Sequence, residues 1–275
     1  VIAPTVRIAT WNLAWQFLDW ESRQDAIAWT LQELDADVVL LQESWPEQIE
    51  RLATELGFHY CGGYRSGDAP KLDTDRHFGN GILSRWELSD AATVALPEHE
   101  GFGHRTLVGA TSHAPFGPVP IYTAHVAHRY DASALRQKQF HAICECIESR
   151  HPEAASSRSG FPPVLAGDLN AVPDSREIQK LTGRDDPYIA GRVWSDVWEQ
   201  VGGGPGVTWS ASNPLLDRPA WPNRRLDYVL VRWPRRRPAG NPVSASIFGS
   251  TPVDGVMASD HFGVVAELQT GSPDA

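Results

Sequence analysis

Short apolar runs that stop at a polar residue recur along this chain, and two periodicities separate them into strands and helices. Val6–Trp11 alternates as a strand. Val38–Leu41 is continuously apolar, as expected of a strand covered on both faces. Between them, Glu21–Asp35 places Ala26, Ile27, Trp29, Leu31 and Leu34 at an uneven helical spacing. Pro46 opens a second helix through Leu56, which Gly57 ends, the usual asymmetry of proline first and glycine last. Strand-like segments follow at Phe58–Tyr64, Gly81–Ser84, Glu87–Leu96, Thr106–Thr111 and Val119–Val126. A helix then runs to about Ser149, with Asp131 or Ser133 in place to cap it, and Ser156–Gly160 reads as a polar loop. The pattern repeats with a strand at Val164–Gly167, a short helix at Ser175–Leu181, and strands at Arg225–Val231, Val243–Phe248 and Phe262–Leu268. Two halves of similar order, each with an acidic residue at a strand end, predict two sheets packed face to face with helices outside. Gly202–Asn223, rich in Gly, Pro and Trp, is expected to be a long surface loop of the kind that carries function.

Composition narrows the class. With 275 residues the chain can form one large domain or two small ones, and 41% hydrophobic and 21% charged residues are ordinary for a globular protein. No run of eighteen apolar residues occurs, so no membrane insertion is expected. A net charge of −10 argues against general affinity for nucleic-acid backbones, although a local positive patch beside a bound metal can serve one substrate. The lysines are few: Lys71, Lys138 and Lys180. The basic cluster Arg232–Arg237 reads as a solvated loop after a strand, with a phosphate- or membrane-facing loop as the alternative. Cys144 and Cys146 point apart on a helix and three cysteines make no disulfide framework, so a reducing cytoplasmic compartment is expected. A cleaved export signal ahead of Val1 is the alternative.

Four stretches carry candidate chemistry: Thr10-Trp11-Asn12-Leu13, Leu41-Gln42-Glu43, Gly167-Asp168-Leu169-Asn170 and Ser259-Asp260-His261. Each lies where an apolar run starts or stops, and each offers carboxylate, carboxamide or imidazole. Hard divalent cations and phosphoester hydrolysis both need that set. Singly, Asn12, Glu43 and Asp260 are ordinary turn or strand-end residues. Together they can form an oxygen-rich cup for Mg²⁺ or Mn²⁺. No Cys/His spacing suits structural zinc. Asp168 and Asn170, two apart on an extended segment, can share the tasks of orienting a water and holding a phosphate oxygen, with an Asx-type turn before Pro173 as the plainer reading. Asp227 lies in a strongly apolar strand and needs a partner, which His261 can supply while the pairing fixes its tautomer. His125 ends a strand and can give the phosphate a proton or a hydrogen bond, whereas His128 reads as a loop residue. Substrate choice is expected to lie with Trp209 and Trp221 of the long loop, and with Asp73, Asp75, Arg76 and His77 of the turn at Arg65–Phe78. Trp209 reads at least as well as a cap on the core, while Trp221, flanked by Pro222 and Asn223, is the better candidate for substrate contact.

These motifs, with Gly79-Asn80-Gly81-Ile82-Leu83-Ser84-Arg85, His104-Arg105-Thr106-Leu107, Thr123-Ala124-His125-Val126, Thr208-Trp209 and Arg225-Leu226-Asp227-Tyr228, resemble the endonuclease/exonuclease/phosphatase superfamily. Deoxyribonuclease I, abasic-site endonucleases, sphingomyelinases and inositol polyphosphate 5-phosphatases belong to it. The resemblance runs from about residue 6 to 268 in family order, which implies a single domain. It further implies a four-layer α/β sandwich of two mixed sheets, with the site at one edge of the paired sheets. It makes Glu43 a metal ligand helped by Asn12 and Asp260, and places Asp168 and Asn170 around the nucleophilic water and phosphate. His261 pairs with Asp227, His125 contacts the phosphate or serves as acid, Arg105 is the phosphate-side arginine, and Asn80 matches a polar partner of the catalytic histidine. Histidine at position 125, where abasic-site endonucleases tend to carry tyrosine, speaks against a base-excision role. The expected activity is Mg²⁺- or Mn²⁺-dependent phosphoester hydrolysis by in-line attack of water, by a monomer. The substrate is expected to be a small molecule, a lipid head group or nucleic acid, and the acidic balance, few lysines and lack of a basic stripe favour one that is not nucleic acid. A metal-dependent nuclease is the nearest rival, and a member repurposed for ligand binding is a more distant one.

Overall fold

The computed structural model describes residues 4–66, 77–99, 104–152, 160–216 and 223–271. In chain order the elements are β1 (Thr5–Asn12), α1 (Trp20–Leu34), β2 (Val38–Ser44), α2 (Pro46–Leu56), β3 (His59–Ser66), β4 (His77–Ser84), β5 (Leu88–Ala95), β6 (Thr106–Ala114) and β7 (Gly117–Ala124). Then come α3 (Ser133–Arg150), β8 (Val164–Asp168), α4 (Arg176–Thr182), β9 (Val193–Asp196), α5 (Val197–Val201), β10 (Asp227–Trp233), β11 (Pro242–Phe248) and β12 (Gly263–Gln269).

The strands make two six-stranded sheets, ordered β11-β12-β1-β2-β4-β3 and β5-β6-β7-β8-β10-β9. Each has one parallel pair at its centre, β1 with β2 and β7 with β8, and antiparallel pairs elsewhere. A parallel pair needs a long crossover, and α1 and α3 supply the two. Alternation along these central strands builds the layers. Val6, Ile8, Val38 and Leu40 face Ile121, Val164, Ala166 and Val229 of the other sheet. Their neighbours Ala9, Trp11, Val39 and Leu41 face outward to Ile27, Leu31, Ile49 and Leu52 of α1 and α2. On the far side, Tyr122, Leu165 and Leu230 pack on Phe140, Ile143 and Ile178 of α3 and α4. Both faces of the central strands are thus covered, which is why Val38–Leu41 is apolar without a break. Each fully buried Leu or Ile contributes about 1.5–3 kcal/mol, so Leu52→Ala alone would cost about 2–5 kcal/mol. The helix that carries Leu52 stops at Gly57, whose φ of 68° lets its N–H reach the carbonyls of Ala53 and Thr54.

Several expectations need correction. β9 and α5 were not anticipated, because four and five residues are too few to show a period. β10 starts at Asp227 rather than Arg225, since Thr208 Oγ1 accepts the amides of Leu226 and Asp227 at 3.0 and 3.2 Å and draws the preceding residues out of the ladder. Neither Asp131 nor Ser133 caps α3: Asp131 pairs with Arg129 and Ser133 accepts from Gln137. Of the Arg232–Arg237 cluster, Arg236 and Arg237 are exposed as a solvated loop would have them, but Arg232 and Arg235 are folded onto the protein. Arg232 donates to the carbonyl of His151 at 3.0 Å and pairs with Glu148, and Arg235 donates to Ser195 at 2.9 Å. Cys61, Cys144 and Cys146 are free thiols. No described helix is long and apolar enough to cross a membrane. Most of the expected loop at Ser156–Gly160, and Asp73, Asp75, Arg76 and Trp221, lie outside the described residues.

Candidate active site

Parallel pairing decides which residues can meet. The carboxyl ends of β1 and β2 share one edge of their sheet, and those of β7 and β8 share one edge of the other. Asn12 ends β1, Glu43 is next to last in β2, His125 follows β7, and Asp168 ends β8. β10 and β12 run antiparallel to β8 and β1, so their amino ends arrive at the same edges. Asp227 therefore sits opposite Asp168, and His261 lies two residues ahead of β12. Two cross-sheet hydrogen bonds bring the edges together: Asn12 Nδ2 to Asp168 Oδ2 at 3.0 Å, and Gln42 Nε2 to Thr123 Oγ1 at 2.8 Å. Gln42 is fully buried and also donates to Thr10 Oγ1 at 3.0 Å and to the Leu40 carbonyl at 2.9 Å.

Asp168 stands between two imidazoles, with its Oδ2 3.5 Å from His125 Nε2 and 3.7 Å from His261 Nε2. His261 Nδ1 donates to Asp227 Oδ2 at 2.9 Å. The His261 backbone is fixed by Trp11 Nε1, which donates to its carbonyl at 2.8 Å, and by Ser259 Oγ, which accepts its amide at 3.2 Å. Burial opposes charge on His261, but Asp227 and then Asp168 outweigh it and hold the imidazole protonated well above its ordinary range. Asp168 is pushed up to about 6, chiefly by burial and next among the raising causes by Asp227. His125 moves the other way. Burial, then the positive charge of Arg105, hold its pKa well below the ordinary value, so it is neutral. A neutral imidazole can donate a hydrogen bond, which fits the phosphate-contact role expected of it. Its Nδ1 has no hydrogen-bond partner.

Asn170 is not on an extended segment. Its φ of 45° is left-handed and its amide donates to Asp168 Oδ1 at 3.0 Å, so the plainer Asx turn is correct. The turn sends its side chain to the Val126 carbonyl, at 3.2 Å, while Asn170 still lines the cleft. Gly167 is required just before it: with φ 154°, an added Cβ would lie 2.0 Å from the Ala124 carbonyl oxygen.

Glu43, His125, Asp168, Asn170, Asp260 and His261 open on one cleft of about 550 Å³, whose other lining includes Phe17, Tyr130, Trp209, Arg224 and Leu226. Glu43 occupies a bulge in β2 at a left-handed φ of 49°, a costly conformation for a residue with a side chain. The backbone around it is pinned: Leu13 N–H donates to the Gln42 carbonyl and Trp15 N–H to the Glu43 carbonyl, each at 2.9 Å. Burial and then the charge of Asp260 push the Glu43 carboxyl up to about 7. Two carboxylates that share a cleft and repel each other offer oxygen donors that suit a hard divalent cation. Asn12 fits less directly. It is 1% exposed, its Oδ1 accepts the Ala14 amide at 2.9 Å, and its Nδ2 is committed to Asp168, so it stands behind Asp168. Among the described residues one trio of acidic and imidazole groups has metal-like proximity, Asp168, Asp227 and His261, with ligand atoms within 4.8 Å. In that trio Asp227 holds the proton of His261 Nδ1, so the three groups can also move or hold a proton.

Arg105 is buried beside the cleft, with Nη2 3.1 Å from His128 Nδ1 and its guanidinium 5.7 Å from the centre of the Phe78 ring. Asn80 does not partner His125. Its amide donates to the Thr106 carbonyl at 2.9 Å, although it lines a small pocket with His125 and Arg105. Trp209 packs edge-on against His261, at 4.8 Å between centroids, so part of the expected surface loop supports the site. Thr208 is completely buried in the same stretch and is a residue whose structural role sequence reasoning missed.

The two stacked mixed sheets with polar groups at their shared edge define a class, and the comparisons agree with it. The chain belongs to the Endonuclease/Exonuclease/phosphatase family, whose model matches residues 9–261. Members of this family are hydrolases of phosphoesters. Protein angel of Drosophila melanogaster is 27% identical over 185 residues, covering 62% of this chain and 49% of that protein, so the chain spans about half the length of the curated relative it matches. Among solved structures, TDP2 of D. rerio complexed with single strand DNA product has a TM-score of 0.76 at 21% identity, covering 96% of this chain and 98% of that one. A family protein from Bacteroides thetaiotaomicron has a TM-score of 0.74 at 16% identity, covering 96% and 95%. One from Beutenbergia cavernae has 0.71 at 26%, covering 98% and 72%.

Proposed function

We propose that this chain is a phosphodiesterase-type hydrolase that uses Mg²⁺ or Mn²⁺ and attacks the phosphorus in line with water. The observation that supports this reading best is the position of Asp168 between His125 and His261, in a cleft that Glu43 and Asp260 also line. Glu43 and Asp260 would hold the ion, which when bound supplies positive charge to the phosphoryl oxygens. Asp168 is positioned by Asn12 and the Asn170 amide, and its carboxylate orients the attacking water and accepts its proton. His261, kept protonated by Asp227, gives the phosphate a charged hydrogen bond from Nε2. His125 contributes a neutral one, and Asn170 completes the polar lining.

One observation favours a nucleic-acid substrate over a small molecule or lipid head group. Tyr130 is 56% exposed at the cleft, and the Arg224 guanidinium lies 4.3 Å from the centre of its ring. A planar cation stacked on an aromatic ring beside a phosphate site suits a base, at about 1–3 kcal/mol per stacked base. The D. rerio TDP2 structure with single strand DNA product is consistent with that reading. The test is hydrolysis of single-stranded DNA, RNA, sphingomyelin, inositol phosphates and bis-p-nitrophenyl phosphate with Mn²⁺ and with EDTA. Turnover is expected only with metal. Tyr130→Ala should raise KM for oligonucleotides about tenfold while leaving bis-p-nitrophenyl phosphate unchanged, a loss of about 1.4 kcal/mol. Full activity in EDTA would overturn the metal dependence, and equal effects on both substrates would remove the base-stacking reading.

A further inference from the structure

Arg23 lies on the first turns of α1 and is 1% exposed, a charge buried in the protein. Its partners are main-chain carbonyls. Nε donates to Leu18 at 3.1 Å, Nη1 to Leu13 at 2.9 Å and Ala258 at 2.7 Å, and Nη2 to Ala14, Trp15 and Phe17 at 3.2, 2.9 and 2.9 Å. Five of these carbonyls belong to the turn that follows Asn12. The sixth belongs to the residue before Ser259.

That turn is strained. Ala14, Trp15 and Leu18 have φ of 53°, 32° and 55°, a region residues with side chains enter at a cost of about 1–2 kcal/mol each. Carbonyls that point inward toward one guanidinium are what such a turn provides. The same turn sends the Leu13 and Trp15 amides to Gln42 and Glu43, and Ser259 Oγ donates to the Asn12 carbonyl at 2.6 Å. One guanidinium therefore joins the backbone under Glu43 to the backbone that leads into Asp260. Burial disfavours its charge, and the charges of Asp260 and Glu43 favour it, in that order.

We infer that Arg23 is a positioning residue that sets the separation of Glu43 and Asp260 by clamping the turn 13–18 to Ala258. The inference rests on the proposed reading of Glu43 and Asp260 as cation ligands. Lysine is the informative replacement, because it keeps the charge but has three donors on a single nitrogen and cannot span these carbonyls. Ile27→Val, one turn further along α1 and fully buried, is the control for simple loss of stability.

The experiment measures Mn²⁺ affinity by calorimetry and melting temperature in EDTA for wild type, Arg23→Lys and Ile27→Val. Both variants should melt below wild type, while Arg23→Lys binds Mn²⁺ at least tenfold more weakly and Ile27→Val binds it as wild type does. Equal Mn²⁺ affinity in folded Arg23→Lys and wild type overturns the inference. Wild type that binds no Mn²⁺ overturns the cation-site reading instead. Should Arg23→Lys not fold, amide exchange of wild type in EDTA decides. The clamp requires the Leu13 and Trp15 amides to be as protected as those of β1 without metal. Protection that appears only with Mn²⁺ would show that the ion, not Arg23, orders the turn.

Discussion

Glu43→Gln should make the metal-free protein more stable at alkaline pH and at the same time remove its stabilisation by metal. Burial and Asp260 raise the Glu43 carboxyl from 4.5 to about 7. The folded state therefore binds this proton more tightly than the unfolded chain does. Below about pH 4.5 the group costs nothing, and the cost grows as pH rises toward about 7 and is complete above it. At about 1.36 kcal/mol per pH unit between the two values, the full cost is about 3 kcal/mol. That is an upper figure, because 18% of the side-chain surface still meets solvent. Glutamine keeps the shape and carries no charge to bury.

For a chain of this size 1 kcal/mol corresponds to about 2 °C, so at pH 8 in EDTA the variant should melt up to about 6 °C above wild type. At pH 5 the difference should shrink to about 2 °C or less, because less than one kcal/mol of the cost, on the order of 0.8, is then incurred. His261 also loses stability with rising pH: its raised pKa stabilises the fold below about 6.5 and that gain fades above. It does so in both proteins, so comparison at one pH isolates Glu43. With Mn²⁺ at a hundred times Kd, wild type gains about 2.7 kcal/mol and the variant, lacking the charge, gains little, so the order reverses. Differential scanning calorimetry with and without EDTA reads all four conditions. A variant that melts below wild type in EDTA at pH 8 would refute the reasoning.

Asp227 and His261 should behave as one unit: the double change Asp227→Asn with His261→Ala should lower kcat/KM little more than His261→Ala alone, and multiplicative losses would show independent roles. Thr208→Val strands the buried amides of Leu226 and Asp227 and should cost about 2 kcal/mol or more in urea unfolding, whereas Thr208→Ser, which keeps the acceptor, should cost less. An unchanged urea midpoint for the valine variant would contradict the bond assignments.

How much of this was legible depends on what kind of contact is at stake. Asn12, Glu43, His125 and Asp168 are visible because each lies at or beside the end of an apolar run, and alternation reports directly which runs are covered on both faces. The two-sheet sandwich follows from the same signal, and the family motifs carried its four layers. Arg23 is invisible by that means. On an amphipathic helix an arginine reads as a solvated charge, and nothing in the pattern shows that carbonyls of a turn behind it and of Ala258, 235 residues away, converge on it. Gln42 and Thr208 stand in recognisable motifs, but their roles are hidden for the same reason, since their partners are backbone and hydroxyl groups on other segments. Asn170 shows a different limit. An i, i+2 polar pair is compatible with an extended strand or an Asx turn, and only the backbone angle separates them.

The distribution of charge across the two sheets explains why a chain of net charge −10 would still receive a phosphate. The inner acids, Asp168 and Asp227, share a protonated His261, and Asp168 also accepts hydrogen bonds from Asn12 and the Asn170 amide. The outer acids, Glu43 and Asp260, face the cleft with a neutral His125 nearby, so they lack such compensation from that side chain. A divalent cation there would convert the outer pair from a repulsive surface into an attractive one. Arg105 and Arg224 lie around the same site, and among the described residues the lysines are Lys138 and Lys180, which sit on the outer helices α3 and α4. Affinity for an anionic substrate would then depend on the ion far more than on the surface charge. Substrate KM should accordingly rise steeply as Mn²⁺ is titrated down, while moderate added NaCl at saturating Mn²⁺ changes it little. A strong salt dependence at saturating metal would point instead to a basic surface outside the described residues.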